Sequence, residues 1–362
     1  MFTSWRFLQI GVLAAALSAC ASPQSKPAPD AAATPAPSRS QPQAESPAAT
    51  DLSLDVPAYI QALARERGLP AEQLGTILAA AQTNPTVARL IAPAASGKKI
   101  VRSWTVYRKR VVEPIRIRWG NEFWQAHEQT LAQASQRFGV PASVIVAIIG
   151  VETNYGRNMG SFSVLDALYT LSFDYPDPNR PDRQQMFRGQ LSDFLTLVMA
   201  GRLDVGAQGS FAGAIGMAQF MPGSIKRYAV DGDGDGVIDL TNSAQDAIMS
   251  IGNFLVEHGW QRGLPVFAPV TLPSRPTGLV DGGLEPKLNW AQLQAAGATA
   301  RAGADASWTQ APLGVINLPD EQYGTVQYRT GTPNFFALTH YNRSYFYATS
   351  VADLAAELDT RG

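Results

Sequence analysis

One stretch limits what this chain can fold into: Val144-Ile-Val-Ala-Ile-Ile-Gly-Val151, eight residues with no polar side chain. Pro141 opens it as a helix start, since its φ is already set for a first turn and it has no N–H to lose. A helix that is apolar nearly all round belongs inside a sizeable core, and 362 residues suffice to build one. At the C-terminal end of this run stands Glu152, followed by Thr153-Asn-Tyr-Gly156. A carboxylate there is desolvated by apolar neighbours and repelled by the negative end of the helix dipole. Both effects raise its pKa. A carboxylic acid kept protonated near neutral pH is the group that general-acid cleavage of a glycosidic bond requires.

The N-terminus reads as a targeting segment over residues 1–20, with Arg6 ahead of an apolar stretch, Phe7 to Ala16, too short for a lasting membrane span. It ends in Leu17-Ser-Ala-Cys20, which resembles the lipobox of bacterial lipoproteins. That resemblance implies cleavage before Cys20 and lipidation of it. Ala21 rather than Asp then points to the outer membrane, facing the periplasm. Because Cys20 is the sole cysteine, an internal disulfide is excluded. Residues 21–50 are mostly Ala, Pro, Ser and Gln and read as a disordered tether. Residues 51–362 form the folded, mainly helical region.

Helical patterns run over Ala58–Arg65, Ala71–Ala81, Glu122–Phe138, Leu165–Leu171, Met186–Met199, Ala244–Gly259 and Val351–Leu358. Between 263 and 330 the chain is richer in Pro, Gly and Thr, and Thr325–Arg329 alternates like a strand. The fold class is therefore mainly α with a small mixed portion, that is α+β. Basic residues concentrate between Lys98 and Arg118. With a net charge of −1 they read as a solvated face, and nucleic acid is not an expected partner.

Two further motifs carry chemistry. Gly209-Ser-Phe-Ala-Gly-Ala-Ile-Gly-Met-Ala-Gln-Phe-Met-Pro222 lets backbone come close to another group, with Ser210 and Gln219 as hydrogen-bonding side chains. Asp231-Gly-Asp-Gly-Asp-Gly-Val-Ile-Asp239 matches the start of an EF-hand loop. Asp231, Asp233 and Asp235 supply oxygen ligands, Val237 a backbone carbonyl, and calcium is the best-fitting ion. Asn242 occupies the position of the usual closing Glu, and Asp246 is the candidate replacement.

Taken with Leu168-Tyr-Thr-Leu-Ser-Phe-Asp-Tyr-Pro176, His258-Gly-Trp260 and Tyr341-Asn342, these motifs resemble the lytic murein transglycosylase B family over about residues 52–358. The resemblance implies a lysozyme-like helical core with an additional helical segment, and peptidoglycan glycan strands as substrate. It implies cleavage between N-acetylmuramic acid and N-acetylglucosamine without water, leaving a 1,6-anhydromuramic end. Glu152 matches the family's single catalytic acid. Ser210, Gln219, Tyr107, Phe220, Tyr341 and Asn342 match residues that hold substrate. Arg183 and Tyr347 also map to such positions, although the Arg183 loop carries the extra Pro178 and Pro181, and Tyr345 competes with Tyr347. Asp246 matches the closing calcium ligand, with one more intervening residue. Calcium is expected to be structural, with no cofactor for catalysis. Two other readings remain open here: a lysozyme-type hydrolase with Asp166 or Asp174 as second carboxylate, and a non-catalytic peptidoglycan-binding lipoprotein.

Overall fold

The computed structural model describes residues 48–93, 101–303 and 305–360; the signal, Cys20 and nearly all of the tether lie outside them. Helices α1 (Val56–Arg67), α2 (Ala71–Ala80) and α3 (Pro85–Ile91) come first, followed by α4 (Trp104–Val111), α5 (Pro114–Ala126), α6 (Glu128–Phe138) and α7 (Ala142–Thr153). A two-residue strand β1 (Phe162–Ser163) leads into α8 (Val164–Phe173) and α9 (Pro181–Met199). Then come β2 (Gln208–Gly209), α10 (Pro222–Tyr228) and α11 (Ala244–Glu257). The mixed portion holds β3 (Val270–Thr271), α12 (Trp290–Ala295), β4 (Thr299–Ala300), β5 (Gly314–Asp320) and β6 (Thr325–Gly331), and the chain closes with α13 (Pro333–Tyr341) and α14 (Tyr345–Asp359).

Helix α7 is the axis of the main core. Ten of its twelve residues are buried; the exceptions are Ala142 at its start and Glu152 at its end. Helices α14, α5, α6 and α11 surround it. Ile145, Ile148 and Ile149 are fully enclosed, and burial of each such side chain contributes about 1.5–3 kcal/mol. Among the described residues no single helix is long and apolar enough to cross a membrane.

Two departures from the sequence pattern show what it lacks. The helix expected over Glu122–Phe138 is two helices, α5 and α6, that break at His127. The His127 backbone leaves the helical region at φ −127°, and its ring lies 4.5 Å from that of Phe123. The bend brings both helices against α7. At the other end of the chain, Ala48–Thr50, assigned by composition to the tether, form a 3₁₀ turn. Ala49 is buried, its N–H donates to the Glu66 carboxylate, and Arg188 reaches across to the carbonyls of Asp51 and Leu54. Long-range partners hold this turn, and composition carries no trace of them.

A second, smaller core gathers Ala268, Val270, Leu293, Ala298, Leu313 and Val315 around Trp308. This is the mixed portion. Its hairpin pairs β5 with β6 antiparallel, from Gly314↔Gly331 to Asp320↔Thr325. The hairpin docks on the start of α4, where the Asp320 carboxylate accepts from the Ser103 hydroxyl and the Trp104 indole donates to Gln327. At its base the insertion is clasped. Buried Asn334 donates to the carbonyls of Gln261 and Leu264 and accepts from the Gln261 N–H, while the Thr332 hydroxyl donates to Pro265.

Candidate active site

The last turn of α7 delivers Glu152, and the chain then turns sharply. Asn154, Tyr155 and Gly156 follow one another at φ 50°, 61° and 79°. This left-handed region is costly for the two that carry side chains. The turn is fastened on several sides. The Thr153 hydroxyl accepts from the Gly156 N–H and lies 3.3 Å from the Met217 carbonyl, joining the helix end to the 209–222 loop. The Tyr155 ring points inward, where its hydroxyl would lie only 2.5 Å from a Cβ added at either Gly120 or Gly150. Any larger residue at those two places would displace the ring.

Tyr347, on α14, donates its hydroxyl to Glu152 Oε1 at 2.6 Å. Burial pushes the Glu152 carboxyl up to about 7, against the pull of that hydrogen bond. Among the described residues no other carboxylate is a significant influence on it. Burial, aided by the Glu152 charge, holds the phenols of Tyr341 and Tyr347 well above their usual range, and Tyr107 is pushed up to about 12. All three are thus donors at neutral pH. Tyr341 stacks on Tyr347 at 6.4 Å and donates to the Ala218 carbonyl at 2.8 Å, linking α13 to the glycine-rich loop.

In that loop, Gly209 and Gly216 lie so close to the carbonyls of Ala214 and Leu240 that neither tolerates a Cβ. The Ser210 oxygen accepts from the Ala212 and Ala214 N–H groups at 3.3 and 3.0 Å, which leaves its proton free to donate. Gln219 adopts φ 49° and spends its amide nitrogen on the carbonyls of Met159 and Gly216, leaving its side-chain oxygen as an acceptor. Tyr107 lies half-buried against Trp104 and Phe346. Asn342 caps α13 beside Tyr341.

The structure places three more of the sequence candidates. Phe220 is 2 % exposed, with its ring 5.9 Å from Tyr341 and 5.4 Å from Phe254; it backs the wall rather than facing outward. The choice between Tyr345 and Tyr347 is resolved by direction, since the Tyr345 hydroxyl turns away to the Gly283 carbonyl. Arg183, in the first turn of α9, sits over the Phe187 ring with its Nε buried and unpartnered among the described residues; none of its contacts reaches Glu152. As for the rival carboxylates, Asp166 is tied to the Gln82 N–H and Asp174 is exposed at the end of α8. Sequence reasoning overlooked the Tyr341–Ala218 bond and the fastening of Asn154 by Arg116, because each joins segments far apart in the chain.

The acidic loop brings Asp231, Asp233 and Asp246 together, with one carboxylate oxygen from each lying within 4.8 Å of the others. Asp231 accepts from the Gly234 and Gly236 N–H groups, which curls the loop around it, and Asp246 from those of Gly232 and Asp239. Ser243 caps α11 and places Asp246 in its first turn, where it meets the loop. Asp235 lies outside this trio, and Val237, whose backbone carbonyl is the expected ligand, follows in the same loop with its side chain exposed. Three converging hard oxygen donors fit a calcium ion. Two adjoining spaces of about 380 and 240 Å³ lie at the other end of α7, sharing Pro141, Trp260 and Phe267, and neither Glu152 nor the acidic loop lines them.

Comparison with known proteins gives a consistent picture. The family model described as "Transglycosylase SLT domain" matches residues 55–356. The membrane-bound lytic murein transglycosylase B of Escherichia coli (strain K12) is 40% identical over 309 residues, covering 82% of this chain and 80% of that protein. Among solved structures, the Escherichia coli lytic transglycosylase Slt35 in complex with calcium superposes with a TM-score of 0.70 at 37% identity, over 83% of this chain and 91% of that one. SltB3 from Pseudomonas aeruginosa in complex with NAG-anhNAM-pentapeptide superposes with a TM-score of 0.69 at 28% identity, over 84% and 78%.

Proposed function

Because the chain belongs to the transglycosylase SLT domain family and is a lytic murein transglycosylase, we propose that Glu152 serves as both acid and base in cutting the β-1,4 bond between N-acetylmuramic acid and N-acetylglucosamine. The observation that carries this reading is a half-buried carboxyl, raised to about 7, with a phenol donor on it and, among the described residues, no second carboxylate acting on it. Protonated Glu152 gives its proton to the bridging oxygen as the C1–O4 bond breaks, and positive charge develops at C1. The neighbouring N-acetyl group shares that charge. Glu152 is now an anion, and the Tyr347 hydroxyl already points at it, so stabilisation needs no rearrangement. The carboxylate takes the proton of the C6 hydroxyl, whose oxygen closes on C1. The product is a 1,6-anhydromuramic end and no water is consumed. A nucleophile inside the substrate has a high effective concentration, which is why one carboxylate suffices. The presence of NAG-anhNAM-pentapeptide in the SltB3 structure supports a product of this kind.

On this reading Ser210 donates to the substrate's N-acetyl region and Gln219 accepts from a sugar hydroxyl. Tyr107, Tyr341 and Asn342 line the glycan, and Arg183 contacts only a more distant part of it. Asp231, Asp233 and Asp246 hold calcium, as the Slt35 complex with calcium supports. The ion ties the loop to the first turn of α11 and takes no part in bond cleavage. Lipidation at Cys20 anchors the enzyme to the outer membrane, in keeping with the membrane-bound relative. A Cys20→Ala chain that still fractionates with membranes overturns that anchor.

The deciding experiment is mass spectrometry of muropeptides released from purified peptidoglycan by residues 21–362, beside Glu152→Gln. Anhydro products from the unaltered chain alone are expected. Reducing ends instead mean that water is the nucleophile, and strand binding without release means a binding protein.

A further inference from the structure

We propose that Arg116 is a positioning residue for this reaction, holding the turn that follows Glu152 in register with the helix that carries Tyr107. The proposal rests on Glu152 being the acid. Arg116 lies on α5 and is 8 % exposed. Its Nη1 donates to the Arg110 and Val111 carbonyls at 2.7 and 2.5 Å, closing the end of α4, and its Nε donates to the Asn154 side-chain oxygen at 3.0 Å. Glu113, at 3.4 Å, balances the charge. One planar group thus bonds the last turn of the Tyr107 helix to the residue two beyond Glu152. Desolvating a guanidinium is expensive, and the carbonyls at an ordinary exposed helix end are satisfied by water at no such cost.

What this interaction supports is the strained turn. Asn154 and Tyr155 both occupy the left-handed region, and such a pair persists only where its surroundings over-determine it. Both restraints come from one face of α5, since Arg116 grips Asn154 and, four residues on, Gly120 makes room for the Tyr155 ring. A loosened turn lets the Glu152 carboxyl drift from the Tyr347 hydroxyl and from the sugar. A misplacement of 1 Å costs about a hundredfold in rate. Loss of the Tyr347 bond removes the one influence among the described residues that holds the carboxyl down, so the alkaline limb of the pH profile moves upward.

The test measures anhydro-product release against pH for Arg116→Lys, Asn154→Gly and the double variant. Lysine keeps the charge but lacks the planar fork. Glycine keeps the turn's backbone but removes the acceptor. We expect kcat to fall about a hundredfold in Arg116→Lys and about tenfold in Asn154→Gly. KM should change less than about threefold, the alkaline limb should shift up in both, and the double variant should be no worse than Arg116→Lys. A purely architectural arginine lowers the folded fraction and leaves the pH limb where it was; that result overturns the proposal. Should Arg116→Lys fail to fold, Asn154→Gly decides alone, and an unmoved limb there also overturns it. If Glu152→Gln retains full activity, the acid assignment is wrong and the proposal falls with it. If Glu152→Gln is inactive while both variants behave as the unaltered chain, this proposal alone is rejected.

Discussion

The end of α7 and the acidic loop at 231–246 use the same functional group under opposite conditions. Glu152 is a single carboxyl in a tightly packed surround, with one phenol donor and a pKa pushed up to about 7. Asp231, Asp233 and Asp246 crowd three carboxylates together and meet them with backbone N–H groups, five of which converge on the trio from Gly232, Gly234, Asp235, Gly236 and Asp239. Donors are scarce in the first place and abundant in the second, yet burial and the Asp233 charge beside it still raise the Asp246 carboxyl, and that is the repulsion a bound cation would relieve. The contrast is between one carboxyl whose raised pKa suits proton transfer and a cluster whose mutual repulsion suits a cation.

The most severe test of that contrast is Glu152→Gln, which removes the proposed acid. Its kcat should fall at least about a thousandfold in the muropeptide assay, within the range of a lost general acid. Stability should show the reverse sign. Burial raises the Glu152 carboxyl to about 7 in the fold from its ordinary 4.5, so the folded chain binds the proton more tightly, and stability is lost as pH rises from 4.5 through 7. Above pH 7, denaturant unfolding should find Glu152→Gln more stable than the unaltered chain by up to about 3 kcal/mol, with no difference below pH 4. At the acidic loop the prediction runs the other way. Chelation with EGTA should lower Tm by about 5–10 °C, as loss of a ligand held near a hundred times its Kd implies, and Asp246→Asn should show the lower Tm without responding to EGTA. The smallest effect is expected of Tyr347→Phe. It should slow kcat about tenfold and move the alkaline limb above pH 7, since a hydrogen bond to the ionised acid is gone. Tyr345→Phe should leave the limb in place. An equal effect from Tyr345 would break the assignment of the donor.

Helix α7 was legible because its signal is local and dense: a proline start, an uninterrupted apolar run, then an acid ahead of polar residues. Resemblance to a known family carried the reading further, to the glycine-rich loop and the closing Asp246. What stayed hidden depends on direction rather than type. Two tyrosines, two residues apart near the start of α14, send their hydroxyls to Glu152 and to Gly283, and nothing in Tyr345-Phe-Tyr347 says which goes where. Phe220 sits in a loop beside outward-facing neighbours, and only the packing of Phe254 and Tyr341 buries it. His127 breaks a pattern that is amphipathic on both sides, because the break is made by what α5 and α6 pack against.

The clasp formed by Asn334 and Thr332 on Gln261, Leu264 and Pro265 has a consequence for how such chains diversify. It holds the entry and exit of the mixed portion side by side on the surface of the helical body. With its ends already joined, the excursion between them can lengthen or shrink at little entropic expense, since each doubling of a loop costs only about 0.6 kcal/mol. The body around α7 then folds much the same whatever hangs from the clasp beyond the hairpin, whose Ile316 and Leu318 belong to the main core. An Asn334→Ala chain should therefore unfold first in the excursion, leaving the scaffold of the acid standing.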